Sequence, residues 1–156
     1  MTDADFLRQA IAAAREGIAA GQSPFGSVIV RDGVVIAAAH NTVWRDTDPT
    51  AHAEVNNIRA ASRARGAIDL SDCTLYSTCE PCPMCLSAIH WAKIRRVVYG
   101  AGIDDAAAAG FSELRVAAGE LARMGGSKLV VEGGLLLDEC RELFEEFRRV
   151  SDGKRY

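Results

Sequence analysis

Cys79-Glu80-Pro81-Cys82-Pro83-Met84-Cys85 is the stretch on which the reading of this chain turns. Proline suits the first turn of a helix and not its interior, so Pro81 and Pro83 predict a helix that starts at Cys82 or Pro83 and runs to Lys93. Cys82 and Cys85, three apart, then share one face of its first turn. The free N–H groups and the positive end of the helix dipole favour thiolate over thiol there. The preceding run, Cys73-Thr74-Leu75-Tyr76-Ser77, has a strand pattern, so the cysteines follow a strand-to-helix turn.

A second stretch, His52-Ala53-Glu54, lies about thirty residues upstream. Its surroundings predict a helix that begins near Thr50 or Ala51, runs through Val55, Ile58 and Ala61, and stops at Gly66. Two residues span about 200° of a regular helix, so His52 and Glu54 in its first turn would point different ways. His52 could then bind a metal while Glu54 reaches the space beside it.

The remaining chain supplies a frame for these two stretches. Phe6, Leu7, Ala10, Ile11, Ala14 and Ile18 recur at helical spacing between Asp3 and Ala20. Ser27 to Val30 and Val34 to Ala39 flank an Asp32-Gly33 turn and read as a hairpin, whereas Thr42 to Thr50 reads as a connecting loop. Arg96 to Gly100 is a buried-strand candidate. Ala101 to Gly110 reads as loop, Phe111 to Met124 has some helical character, and Lys128 to Val131 reads as a short strand. Leu136, Cys140, Leu143, Phe144, Phe147 and Val150 form the apolar stripe of a last helix, before a polar tail from Ser151 to Tyr156. Strands alternating with helices in this way predict a layered α/β domain with a mixed sheet, the hairpin supplying its antiparallel part.

A length of 156 residues suits one domain, residues 1–156, and no linker or internal repeat divides it. The first residues lack a basic and apolar leader, and no apolar run reaches membrane-spanning length, so a cytoplasmic location and no membrane partner are expected. A net charge of −3 disfavours a nucleic-acid partner. Five cysteines, an odd number, argue for reduced thiols and against a disulfide framework.

The donor set points to zinc. A catalytic zinc takes three protein ligands and keeps one position open, and His52, Cys82 and Cys85 supply three. Two thiolates offset the ion's charge, leaving a centre that polarises a bound water. Glu54 is then the proton carrier between that water and a substrate. Cys79 is the nearest candidate for a fourth ligand, which would close the site and make it structural; a redox pair at Cys82 and Cys85 would leave Glu54 without a role. Cys73 and Cys140 lie in apolar patterns and read as buried thiols, and His40 and His90 as structural residues.

The His-x-Glu and Pro-Cys-x-x-Cys pair resembles the signature of zinc-dependent base deaminases. From Pro24-Phe25-Gly26 through Asp48-Pro49-Thr50-Ala51-His52-Ala53-Glu54-Val55 to Tyr156, the chain resembles the cytidine-deaminase-like superfamily, and within it the bacterial guanine deaminases. The resemblance implies a three-layer α/β/α fold around a mixed five-stranded sheet, and one catalytic zinc with a bound water per subunit. It implies hydrolytic deamination of guanine in purine catabolism, in a homodimer with or without exchange of the C-terminal segment. It places Phe25, Asn41, Ala53, Trp91 and Tyr156 on the nucleobase and gives Glu113, with Glu54, a catalytic part. Position 113 is glutamate where some guanine deaminases carry aspartate. The segment from Leu129 to Phe147 looks more like tRNA adenosine deaminases and fungal-type cytosine deaminases, whose substrates are the alternatives.

Overall fold

The computed structural model describes residues 1–151 and 154–156. In chain order the elements are α1 (Asp3–Ala19), β1 (Gly26–Arg31), β2 (Val34–His40), α2 (Val43–Asp46), α3 (Ala53–Arg65), β3 (Cys73–Cys79), α4 (Pro83–Trp91), β4 (Arg96–Ala101), α5 (Ile103–Ala108), α6 (Ala118–Met124), β5 (Val130–Glu132) and α7 (Leu137–Val150). The five strands form one mixed sheet in the order β2-β1-β3-β4-β5. β1 runs antiparallel to β2 and β3, while β4 is parallel to both β3 and β5.

Helices cover both faces because the central strands are apolar on both. Successive strand residues point to opposite sides. Val28, Tyr76 and Val98 accordingly join Phe6, Leu7 and Ile11 of α1 and Leu143 of α7 in one core. Their neighbours Ile29, Leu75 and Val97 join Ala61 of α3 and Ile89 of α4 in the other. α6 packs Ala118 and Ala122 against Leu86 of α4. Cys73 and Cys140 are buried in these cores, as expected. No described helix is long and apolar enough to cross a membrane.

The structure departs from the sequence reading in four places. The loop expected over 42–50 contains the single turn α2, and the loop expected over 101–110 contains α5, capped where Asp105 accepts from Gly102 N at 2.8 Å. Elements of four and six residues are too short to show an apolar period. Conversely, the helix expected from Phe111 begins only at Ala118. The N–H groups at either end of the intervening segment bond elsewhere: Ser112 N donates to the Tyr156 carbonyl at 2.9 Å and Ala118 N to Glu80 at 2.8 Å. Finally, α3 begins at Ala53, leaving His52 as its N-cap in extended backbone (φ −69°, ψ 157°) and not within its first turn. The polar tail expected at 151–156 includes Asp152 and Gly153, which lie outside the described residues.

Candidate active site

Two helix N-termini meet at the carboxyl end of β3. His52 is the N-cap of α3, and Cys82 is the N-cap of α4 with Pro83 behind it. The approach to His52 is fixed by Asn56, whose Nδ2 donates to the carbonyls of His40 at 3.0 Å and Ala51 at 3.3 Å and to Thr42 Oγ1 at 2.9 Å. Thr42 N closes the same loop on the Ala51 carbonyl at 3.0 Å.

His52 Nδ1 lies 3.6 Å from Cys82 Sγ and 3.5 Å from Cys85 Sγ. All three donor atoms fall within 4.8 Å of one another. Zinc held tetrahedrally at about 2.3 Å from sulfur and about 2.0–2.1 Å from nitrogen separates such atoms by about 3.5 Å. The cluster therefore fits zinc. Cys79 stands outside it and turns its thiol to the Gly102 carbonyl at 3.7 Å, so it does not serve as a fourth ligand.

Without metal the two thiols share their protons unequally. Hydrogen bonding from Cys85 lowers Cys82 to about 4, against the opposing effect of burial. Cys85, donating to Cys82 and buried, is pushed well above its ordinary value. For His52, burial works downward, but Cys82 and the charges of Glu54 and Glu113 raise it on balance. Glu54 is buried beside the cluster and accepts from Ser77 Oγ at 3.0 Å. Its carboxyl is raised, first by burial and then by the Cys82 charge.

These groups open onto a cavity of about 220 Å³ whose walls include His52, Glu54, Cys82, Phe25, Asn41, Glu113 and Tyr156. Drug-sized pockets run to ~300–1,000 Å³, so this one suits a small molecule. Asn41 is fully buried; its Oδ1 accepts from Val43 N at 3.1 Å and its Nδ2 donates to the Tyr156 hydroxyl. One amide hydrogen of Asn41 is left for a ligand. Phe25 meets Phe111 edge-on with ring centres 4.9 Å apart, and Phe111 in turn meets Tyr156 at 5.7 Å. Glu113 sits on the irregular segment before α6, where burial, followed by the charges of Cys82 and Glu54, raises its carboxyl to about 7. Ala53 is fully buried at the start of α3, between the ligand and Glu54.

Trp91 is the correction. It is 81% exposed and borders a separate depression with Leu86 and His90, away from the cavity. Six residues beyond Cys85, it is rotated by about 120° and displaced by about 9 Å along the helix. Three residues around the site were given no role from sequence. Phe111 walls the cavity, Ser77 holds Glu54, and Glu80 accepts from Ile103 N at 2.9 Å and Ala118 N at 2.8 Å. A serine in an apolar strand row and a carboxylate at a strand end were the available signals.

A model of the zinc-binding region of cytidine and deoxycytidylate deaminases matches residues 1–101. The guanine deaminase of Bacillus subtilis is 43% identical over 157 residues, covering all of both chains. Its crystal structure superposes with a TM-score of 0.70 at 40% identity, covering 100% of this chain and 99% of that one. A structure of the guanine deaminase from Nitrosomonas europaea gives a TM-score of 0.86 at 29% identity, covering 94% and 84%.

Proposed function

This chain belongs to the cytidine and deoxycytidylate deaminase family of zinc-binding proteins, and from that premise we propose that it is a guanine deaminase, converting guanine and water to xanthine and ammonia. One observation carries the reading: a three-residue donor cluster with Glu54 beside it opens onto a small cavity of about 220 Å³, of the scale of one nucleobase. Its full-length likeness to a guanine deaminase selects the base.

His52, Cys82 and Cys85 would hold one zinc per subunit, which would supply a Lewis acid that activates water. The chain's own groups do the rest. Glu54, buried and raised above its ordinary value, takes one proton from the attacking water and gives it to a ring nitrogen, then takes the second from the hydroxyl now on the ring carbon and gives it to the departing amine. Asn41 offers its remaining amide hydrogen to the base, while Phe25 and Tyr156 confine the ring. Glu113, near 7, is present in both protonation states at neutral pH and can donate to or accept from the purine edge. Ala53 fixes the spacing between the ligand and the proton carrier.

A cytoplasmic homodimer serving purine breakdown completes the proposal, on the strength of the family likeness. Tyr156 lines the cavity, with its hydroxyl against Asn41.

Ammonia release from zinc-loaded protein tests the reading, with guanine, guanosine, adenine, cytosine and a tRNA anticodon stem-loop as substrates and Glu54→Ala as control. Turnover of guanine alone, lost in the control, is expected. Turnover of the stem-loop alone would overturn the substrate. Glu113→Gln should abolish guanine turnover with zinc content intact, and retained turnover would remove Glu113 from the site.

A further inference from the structure

We infer that Ser77 is a positioning residue that holds the Glu54 carboxylate in line for its proton transfers. The inference rests on the reading of Glu54 as the proton carrier.

The geometry begins with the alternation of β3. Cys73 and Leu75 face the core beneath α3 and α4, and Ser77 continues the same row. On the neighbouring strand Ile29 faces that core, and Ser27 is the next residue on its side. Ser27 and Ser77 are direct cross-strand partners. Two hydroxyls thus stand opposite each other where both rows would otherwise stay apolar, and both are buried.

They lie under one turn of α3. Glu54 and Asn57, three apart, share its inward face and are both buried. Ser77 Oγ donates to Glu54 Oε1 at 3.0 Å, and Asn57 Nδ2 donates to Ser27 Oγ at 3.0 Å. A buried hydroxyl costs stability unless it is hydrogen-bonded, and an apolar residue would fill the row without that cost. What the serine adds is directed at Glu54. A carboxylate that must accept a proton at one atom and deliver it at another depends on a fixed orientation. Anchoring Oε1 on a rigid central strand confines the sweep of the second oxygen.

The test compares kcat and KM for guanine in zinc-loaded wild type, Ser77→Ala, Ser77→Cys and Ser77→Thr, with Glu54→Ala alongside. Zinc content and thermal midpoint are read for each. Alanine and cysteine should lower kcat by about 10–100-fold with KM and zinc content nearly unchanged, the scale typical of groups that orient a metal site's own residues. Threonine restores the hydroxyl and should recover most of kcat. Wild-type kcat in Ser77→Ala and Ser77→Cys, even with a lowered midpoint, would make Ser77 a packing residue and overturn the inference while Glu54→Ala stays inactive. Turnover in Glu54→Ala would instead overturn the reading beneath it.

Discussion

Glu80→Gln removes one oxygen from a carboxylate that holds two segments at once. Glu80 is 7% exposed, and its oxygens accept from Ile103 N at 2.9 Å and Ala118 N at 2.8 Å. These are the first residues of α5 and α6, whose N–H groups have no partner within their own helices. Between them runs the segment that carries Phe111 and Glu113 into the cavity. A hydrogen bond to a charged group contributes about 1.5–3 kcal/mol, and a buried N–H left facing an amide NH2 costs about 1–3 kcal/mol. Allowing for relaxation, Glu80→Gln should cost about 2–4 kcal/mol, a fall of roughly 5–15 °C in melting temperature for a domain of this size. The assay is thermal unfolding at matched zinc concentration, since bound metal shifts the midpoint by mass action. Guanine turnover in the same samples should fall because Glu113 loses its anchor, and Glu80→Ala should be worse on both counts. A Glu80→Gln protein that melts within ~1 °C of wild type would refute the reasoning, because the two bonds would then contribute nothing net.

Three further outcomes follow from single sites. Hydrogen bonds from Arg96 and then Tyr76 lower the Asp3 carboxyl to about 2, so its stabilisation is present above pH ~4 and lost as pH falls towards 2. With Asp3 partly exposed, screening reduces that contribution to about 1 kcal/mol; urea midpoints of Asp3→Asn and wild type should differ at pH 7 and converge near pH 2. An alanine Cβ at Gly100 would lie 2.1 Å from Cys140 Sγ and 3.1 Å from the Leu135 carbonyl, so Gly100→Ala should cost about 1–3 kcal/mol in a urea titration. At Gly119 such a Cβ meets nothing within 4 Å beyond its chain neighbours and its own helix backbone among the described residues, and Gly119→Ala should be neutral or slightly stabilising in that titration. Chelation should abolish guanine turnover and zinc restore it. Reloading near pH 7 should release between one and two protons per site, because Cys82 is already thiolate, Cys85 must still ionise, and His52, raised above its ordinary value, must shed the proton it partly carries; a weakly buffered dye assay showing none would contradict that assignment.

The cluster of His52, Cys82 and Cys85 with Glu54 beside it was legible because its residues stand at short spacings. Cys82 and Cys85 need only one helical turn between them, and prolines mark where that turn begins. The sheet and its two covering layers were legible for a related reason, since apolar periods of two and of about 3.6 survive in any order of strands. The position of His52 was harder to read. Whether a helix starts at Thr50 or Ala53 depends on Asp48, whose side chain accepts from Thr50 N at 2.8 Å and whose carbonyl accepts from Ala51 N at 3.1 Å. Those bonds hold the chain extended up to the N-cap. His52 can then face the cysteines without being turned away by helical rotation.

The residues that stayed hidden all act across long separations in sequence. Glu80 is 23 positions from Ile103 and 38 from Ala118. Ser77 reaches Glu54 over 23 positions and Asn57 reaches Ser27 over 30. No local period encodes such pairs, but each leaves a local anomaly: a polar group where the strand pattern asks for an apolar one, or a charge where a buried turn asks for none. The anomaly has a physical meaning before its partner is known. Burying a carboxylate or hydroxyl without a partner is costly, so its presence requires a donor or acceptor brought by another element. In this fold the two clearest anomalies, Ser77 within β3 and Glu80 just beyond it, bracket the strand end beside the site, and their partners are Glu54 and the segment bearing Glu113. These two polar groups thus tie the end of the central strand to residues around the cavity that no local period would bring there.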